Sequence, residues 1–316
     1  MRIKLAHLLL SSFFVLVTAC PALVAEAMLK DDAYHYIPNG INDGLFTEWW
    51  YFNGRDNDTQ FLFSYFLVDP ENITGMRKIW LLAIVMEDIP VVGLYQGQDF
   101  EANSTMPYVS MGNNTMVALN NSTYRITGDI KDFIFGMPMS WDLTYTADAN
   151  PWSVASDQRP VGHIEGDWMN YLIYMPSARV EGTMTLRGLT RNVSAVGYHD
   201  HNWGRWAFND PRWNWASVSR PQDNFSLVAF DTLEHEGDVS LGIMRNGSII
   251  EFNDSQVKVS YLDFDLENYW SARTYPKAYR MEADNDKYQL DLDVDVLKTV
   301  ALPIRYPRPQ PDYFIF

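Results

Sequence analysis

Hydrophobic and polar positions alternate along most of this chain in short runs, and the runs are separated by glycine, proline or clustered polar residues. Glu48-Trp49-Trp50-Tyr51-Phe52-Asn53, a polar turn at Gly54-Arg55-Asp56-Asn57-Asp58, and Gln60 to Leu67 together predict a β-hairpin. Ile79 to Met86 is apolar throughout and predicts a strand buried on both faces. Asp142 to Tyr145, Asn170 to Tyr174 and Arg179 to Leu186 continue the series, and the sequon-rich stretch 103–121 reads as polar surface. Trp213 to Ser219, Phe225 to Thr232, Val239 to Met244 and Ile249 to Phe252 follow at similar spacing. Near the end, Leu290, Leu292, Val294 and Val296 alternate with Asp291, Asp293 and Asp295, a strand with one dry face and one charged face. No long stretch repeats with the 3.6-residue helical period. The fold class expected is all-β, a sandwich or barrel built of antiparallel strands.

Composition narrows the partners. A formal net charge of -16 argues against nucleic acid and against anionic lipid surfaces. An aromatic content of 15% suits a β-protein with thick walls or an apolar ligand site. Arg2 and Lys4 precede an apolar run from Leu5 to Ala19, and Ala25-Glu26-Ala27 forms a small-residue cleavage site, so residues 1–27 read as a signal segment. Val17-Thr18-Ala19-Cys20 also reads as a lipobox, in which case Cys20 carries a lipid and the N-terminus is the membrane attachment. Cys20 is the only cysteine, which removes disulfides, thiolate nucleophiles and thiolate metal sites from the folded part. Ten Asn-x-Ser/Thr sequons begin at Asn57, Asn72, Asn103, Asn113, Asn120, Asn121, Asn192, Asn224, Asn246 and Asn253. With the signal segment they favour an exported protein of the cell envelope or exterior.

The candidate chemistry gathers at Gly197-Tyr198-His199-Asp200-His201-Asn202-Trp203-Gly204. On a strand, His199, His201 and Trp203 share one face, and Tyr198, Asp200 and Asn202 share the other. Two imidazoles pointing the same way invite a metal. Zinc, however, needs a third ligand such as Glu48, Asp231 or Glu165, and the spacing supplies none, so no metal is expected. An Asp-rich strand at 291–295 lacks the glycine and glutamate of a calcium loop. There is neither a Gly-x-Ser-x-Gly elbow nor a glycine-rich phosphate loop. His163 and His235 lie in turn-like contexts and read as surface residues. Glu48, leading a run of four aromatics, must find a partner if it points inward. What remains is acid-base work beside aromatic rings. A protonated His or Asp can protonate an alkene, and indole faces stabilise the resulting cation. His199, His201, Asp231 and the tryptophans Trp203, Trp206, Trp213 and Trp215 are suitable residue types, although residue type alone favours histidines that hydrogen-bond backbone groups at a domain junction and tryptophans that fill a core.

Glu48-Trp49-Trp50-Tyr51-Phe52-x-Gly54, followed about 150 residues later by the Gly197–Gly204 motif, resembles the carotenoid 1,2-hydratase (hydroxyneurosporene synthase) family. That family includes AttH-like exported proteins and some fungal lipocalin-like cyclases. The resemblance covers Phe46 to Val296 and implies two lipocalin-like antiparallel β-barrels packed side by side. The expected domains are residues 28–205, carrying Glu48 and the histidine motif, and residues 206–316. The resemblance also implies a hydrophobic, isoprenoid-like ligand and, for hydratase members, addition of water to a terminal double bond without an organic cofactor. Carried over residue by residue, His201 and Trp203 match the family's His-x-Trp and Asp231 an acidic residue on a following strand; with His199 in support, these are the expected catalytic residues. Glu48, Trp50, Tyr198, Trp206, Trp213, Trp215 and Phe230 are the expected ligand-binding residues. Two departures stand out. Val228-Ala229-Phe230 replaces a stretch expected to carry a tyrosine, and Asp312-Tyr313-Phe314-Ile315-Phe316 replaces a glycine-rich closing strand. Three readings stay open at this point: a cofactor-independent hydratase or cyclase, a non-catalytic carrier of a lipid or hydrophobic metabolite, and an envelope component without a ligand.

Overall fold

The computed structural model describes residues 28–38, 46–57, 59–87, 90–133, 135–206, 213–232, 239–266, 274–297, 301–304 and 312–315. The expected signal segment with Cys20, and His235, lie outside them. The described residues form β-strands joined by turns and three short 3-10 turns. This is the all-β, antiparallel class that the alternating pattern predicts.

The strands in chain order are β1 (Phe46–Arg55), β2 (Gln60–Val68), β3 (Lys78–Met86), β4 (Val91–Gln96), β5 (Glu101–Ala102), β6 (Tyr108–Met111), β7 (Asn114–Asn120), β8 (Thr123–Lys131), β9 (Pro138–Ala147), β10 (Trp152–Pro160), β11 (Trp168–Leu186) and β12 (Leu189–Arg205). They form a single sheet in the order β4-β3-β2-β1-β12-β11-β9-β8-β7-β6-β5, with β10 also paired to β11. The sheet curls until Gly93 of β4 bridges Asp132, just beyond β8, and the Phe133 N–H donates to the Val92 carbonyl. One crossover therefore matters for the site. Strand β1, from the start of the chain, lies beside β12, pairing Glu48 with Trp203, Trp50 with His201 and Phe52 with His199.

Alternation within each strand fills the inside of this curl. Trp50, Phe52, Phe63, Tyr65, Leu81, Tyr124, Trp141, Tyr145 and Tyr174 belong to one packed apolar cluster there. Each such side chain contributes about 1.5–3 kcal/mol of transfer free energy on burial. The stretch 103–121, expected as polar surface, supplies strands to this wall. Val109, Met111, Met116 and Ala118 point inward while Asn113, Asn120 and Asn121 stay exposed. Likewise the two strands expected at 170–174 and 179–186 are one strand, β11. Its pairing with β12 shifts register between Ile173 and Ala178, around Pro176, which has no N–H to give to a ladder.

Strands β13 (Trp213–Arg220), β14 (Phe225–Thr232), β15 (Val239–Arg245) and β16 (Ser248–Phe252) form a second antiparallel sheet. Its Val228, Phe230 and Met244 join Trp49, Trp152, Met169, Tyr171, Ile173, Tyr198 and Trp206 in a second apolar cluster, on the outer face of β1, β11 and β12. That packing places Trp213–Glu251 in the same compact unit as the large sheet, Glu26–Glu251. The division expected near residue 205 does not coincide with this boundary, because the second sheet covers an apolar face that the first would otherwise expose. In the other unit, β17 (Val257–Leu266), β18 (Thr274–Asp284) and β19 (Gln289–Asp295) form an antiparallel meander, and β20 (Ala301–Ile304) pairs with β21 (Asp312–Ile315). In β19 the leucines and Val294 are half-buried and the three aspartates exposed.

Candidate functional site

The Gly197–Gly204 motif is the C-terminal part of β12, and its two faces divide as alternation dictates. Its flanking glycines allow close packing. A Cβ on Gly197 would lie 2.4 Å from Val180, and one on Gly204, whose φ is +159°, would lie 2.2 Å from the Trp168 carbonyl oxygen.

On the inner face, His199 and His201 sit directly across from aromatic partners on β1. The His199 ring stacks on Phe52 at 3.9 Å between centroids, and the His201 ring on Trp50 at 4.6 Å. Both imidazoles are fully buried, as are Glu48 and Asp32. Asp32 ends the 3-10 turn Leu29–Asp32, which is anchored where the Trp50 indole N–H donates to the Asp32 carbonyl at 2.9 Å.

These groups form a chain. His201 Nε2 lies 2.9 Å from Glu48 Oε1, and His201 Nδ1 lies 3.3 Å from Asp32 Oδ1 without hydrogen-bond alignment. Asp32 Oδ2 accepts from the Tyr124 hydroxyl at 2.7 Å and lies 3.0 Å from His199 Nε2. His199 Nδ1 lies 2.9 Å from the Tyr51 carbonyl oxygen. A carbonyl accepts and an ionised carboxylate accepts, so both His199 contacts are hydrogen bonds only when both ring nitrogens carry hydrogen. His201 likewise has a carboxylate before each nitrogen. Imidazoles set against carboxylates within one buried cluster meet the condition for burying ionisable groups at tolerable cost. Burial alone would raise the Asp32 carboxyl, but facing His199 and His201 outweighs it and holds the group well below the usual carboxylate range. Burial would lower His201, but its contacts with Asp32 and Glu48 prevail and raise it above the ordinary histidine value.

The outer members of the cluster are His35 and Trp203, whose rings stack at 3.7 Å and 8°. The His35 backbone N–H donates to Glu48 Oε1 at 2.9 Å, and its Nδ1 is 3.3 Å from the same oxygen. His35 is partly exposed, so it stands between Glu48 and solvent. His35, Glu48 and His201 offer three ligand atoms within 4.8 Å of one another, a set able to hold a metal ion. The third ligand missing from the sequence reading is thus His35, and the pair involved is not His199 with His201, which lie on either side of Asp32. Glu165, weighed as that ligand, is exposed.

The outer face of the same strand carries a second buried polar group. Asp200 Oδ2 accepts from the hydroxyls of Tyr198 at 2.7 Å and Tyr171 at 3.0 Å, and the Trp215 indole N–H donates to the Tyr171 oxygen. Burial raises the Asp200 carboxyl to about 6, against the opposing pull of the two tyrosine hydroxyls and the nearby histidines.

The expected site residues therefore divide between two sides of one sheet. Glu48, Trp50, His199, His201 and Trp203 come together on the inner side. Tyr198, Trp206, Trp213, Trp215 and Phe230, expected beside them, pack on the outer side, where Trp49 stacks on Trp213 and Tyr171 meets Phe230. Asp231 follows Phe230 on β14, so alternation turns it away from the layer that Phe230 contacts. It is not a member of the His201 cluster. Asp32, His35 and Tyr124 are the members that sequence reasoning missed. His35, set between Tyr34 and Tyr36, offered a faint signal; Asp32, in Lys30-Asp31-Asp32, reads as an ordinary polar start.

Residues 30–310 match the family described as Domain of unknown function (DUF7064). The chain belongs to that family. No curated protein matches the sequence. Among solved structures, this DUF7064 chain resembles that of a protein from Nitrosomonas europaea provisionally named AttH, with a TM-score of 0.59 and 16% identity over 81% of this chain and 83% of that one. At that identity the likeness is one of fold. The DUF7064 chain has the lipocalin-like all-β architecture expected from its two motifs.

Proposed function

We propose that this protein is an exported, cofactor-independent acid-base catalyst that binds an isoprenoid-like alkene beside His35 and Trp203 and adds water to it or cyclises it. The observation that carries this reading is the His201 imidazole, held between two carboxylates and flanked by the Trp50 and Trp203 rings at 4.6 and 4.8 Å. A histidine kept protonated by buried carboxylates is a general acid, and two indole faces beside it suit a developing carbocation. In the hydration step the His201 N–H bond breaks as its proton bonds to one alkene carbon. Water then bonds to the cationic carbon, and its released proton returns through Glu48 to His201. In the cyclising variant a second double bond takes the place of water, and the proton lost from the carbon next to the final cation passes through Glu48 back to His201. His35, hydrogen-bonded to Glu48 and open to solvent, connects this relay to bulk water. Asp32, facing His201 from the side opposite Glu48, balances its charge. The specific activity of the carotenoid 1,2-hydratase members belongs to this proposal, as does export, with membrane association through the N-terminus if Cys20 is lipidated.

A non-catalytic carrier is the second reading. It is favoured by the complete burial of His199, His201 and Glu48 behind His35.

The test is native mass spectrometry with organic extraction on protein purified from its own host, followed by turnover of the extracted class. The proposal expects a bound apolar alkene, hydrated or cyclised by the native protein and not by His201→Gln. Binding without turnover leaves the carrier. An empty protein that turns over no isoprenoid alkene removes both.

A further inference from the structure

We infer that the exposed sequon asparagines are N-glycan attachment sites, so that the protein carries oligosaccharides over its turns and along one edge of its large sheet. All ten are exposed: Asn57, Asn72, Asn103, Asn113, Asn120, Asn121, Asn192, Asn224, Asn246 and Asn253. Asparagines outside sequons behave differently. Of the seven whose surroundings are described, Asn114 and Asn202 are buried, Asn53, Asn170 and Asn285 are half-buried, and only Asn150 and Asn214 are exposed. A polar residue two places on does not account for the contrast. Thr59 and Ser226 complete the sequons of Asn57 and Asn224 and are themselves buried, yet both asparagines face solvent.

Outside sequons, the amide nitrogens of Asn53, Asn114 and Asn202 donate to Tyr51, Met111 and Asp200, while Asn170 and Asn285 accept through their carboxamide oxygens. In Asn103, Asn120 and Asn253 it is the carboxamide oxygen that is engaged. Each accepts from the hydroxyl of its own sequon, at 2.8 Å from Thr105, 3.1 Å from Ser122 and 2.7 Å from Ser255.

Placement in the fold suits a bulky substituent. Asn57, Asn72, Asn113, Asn121, Asn224 and Asn246 lie in the turns between consecutive strands, and Asn72, Asn224 and Asn246 adopt left-handed backbone conformations characteristic of tight turns. Asn103 directly follows β5, the end strand of the large sheet, and Asn113, Asn120 and Asn121 sit at the hairpins of the strands next to it. An edge strand presents unpaired backbone groups that template aggregation, and oligosaccharide there shields them.

The modification forms a bond from the asparagine Nδ2 to the anomeric carbon of an oligosaccharide carried on a polyprenyl pyrophosphate. The carbon–oxygen bond to the pyrophosphate breaks, the amide loses one proton, and polyprenyl pyrophosphate leaves.

The experiment is intact-mass measurement and glycopeptide mapping of the protein from its natural host, with Thr105→Ala expressed in that host. The expected result is a mass above that of the polypeptide, with sugar on sequon asparagines and none on Asn150 or Asn214. Thr105→Ala, which keeps Asn103 but removes its acceptor motif, loses the sugar at Asn103 alone. A protein with bare polypeptide mass at every sequon overturns the inference. So does sugar confined to serine or threonine hydroxyls, or an unchanged Asn103 glycopeptide in the variant.

Discussion

Replacing Asp32 by asparagine keeps the size of the side chain and removes its charge. In the native protein Asp32 is fully buried, accepts from Tyr124, and faces His199 and His201 at 3.0 and 3.3 Å. Taking one partner out of a buried ion pair leaves uncompensated charge and costs about 3–5 kcal/mol. For a compact unit the size of Glu26–Glu251, each kcal/mol moves the melting temperature by about 2–4 °C, so Asp32→Asn should lower Tm by about 6–20 °C near pH 6. The pH dependence follows from the directions of the two shifts. Asp32 is depressed, so its contribution is complete above the ordinary carboxylate pKa and is lost as pH falls through the native value. His201 is raised, so its contribution is complete below the ordinary histidine pKa and is lost as pH rises through the native value. The gap between wild type and variant is therefore widest between about pH 4 and 6.5 and narrows on both sides. Urea unfolding followed by tryptophan fluorescence from pH 3 to 9 reads it out. A gap below about 1 kcal/mol at pH 6, or one that widens steadily toward pH 9, refutes the reasoning.

Three further outcomes are expected. Asp200→Asn should be nearly neutral at pH 4 and stabilising by about 1–3 kcal/mol at pH 8, because a carboxyl raised to about 6 opposes folding increasingly as pH climbs from its ordinary value past that point; equal destabilisation at both pH values in thermal melts would contradict this. Gly204→Ala should cost more than about 3 kcal/mol or prevent folding, since its Cβ would lie 2.2 Å from a backbone oxygen at a left-handed φ, and a variant with native Tm sinks the close-packing account of the motif. Dialysis against a chelator should leave both Tm and any turnover unchanged, because protons and not a metal bridge Glu48 and His201 in the proposed chemistry; a fall in Tm restored by zinc would assign His35, Glu48 and His201 as ligands.

Much of the wall was legible from alternation. The hairpin of β1 and β2 follows from a polar turn between two β-forming runs, β3 from an unbroken apolar run, and the half-buried face of β19 from a period of two. So does the division of the Gly197–Gly204 motif into an inner and an outer face. The strands between residues 103 and 121 were hidden, because exposed sequon asparagines outweigh four inward apolar residues in any local window. The composition of the site was only partly legible. Glu48 announced itself by leading an aromatic run, and its partner His201 was already singled out. Asp32 is joined to His199 across 167 positions of sequence, and nothing local marks a carboxylate that will be buried at such range. The outer tryptophans were placed with the histidines because residue type carries no information about which side of a two-faced sheet a neighbouring strand will cover. That assignment depends on β13–β16 packing over β1, β11 and β12, a tertiary choice.

The central claim is that His201 stands protonated between Glu48 and Asp32. Nitrogen-15 NMR of the histidine rings tests it most directly, with His201→Gln supplying the assignment. At pH 7, where a free histidine is mostly neutral, the account predicts that both ring nitrogens of His201 carry hydrogen. A neutral His201 with a single ring proton at that pH would contradict it.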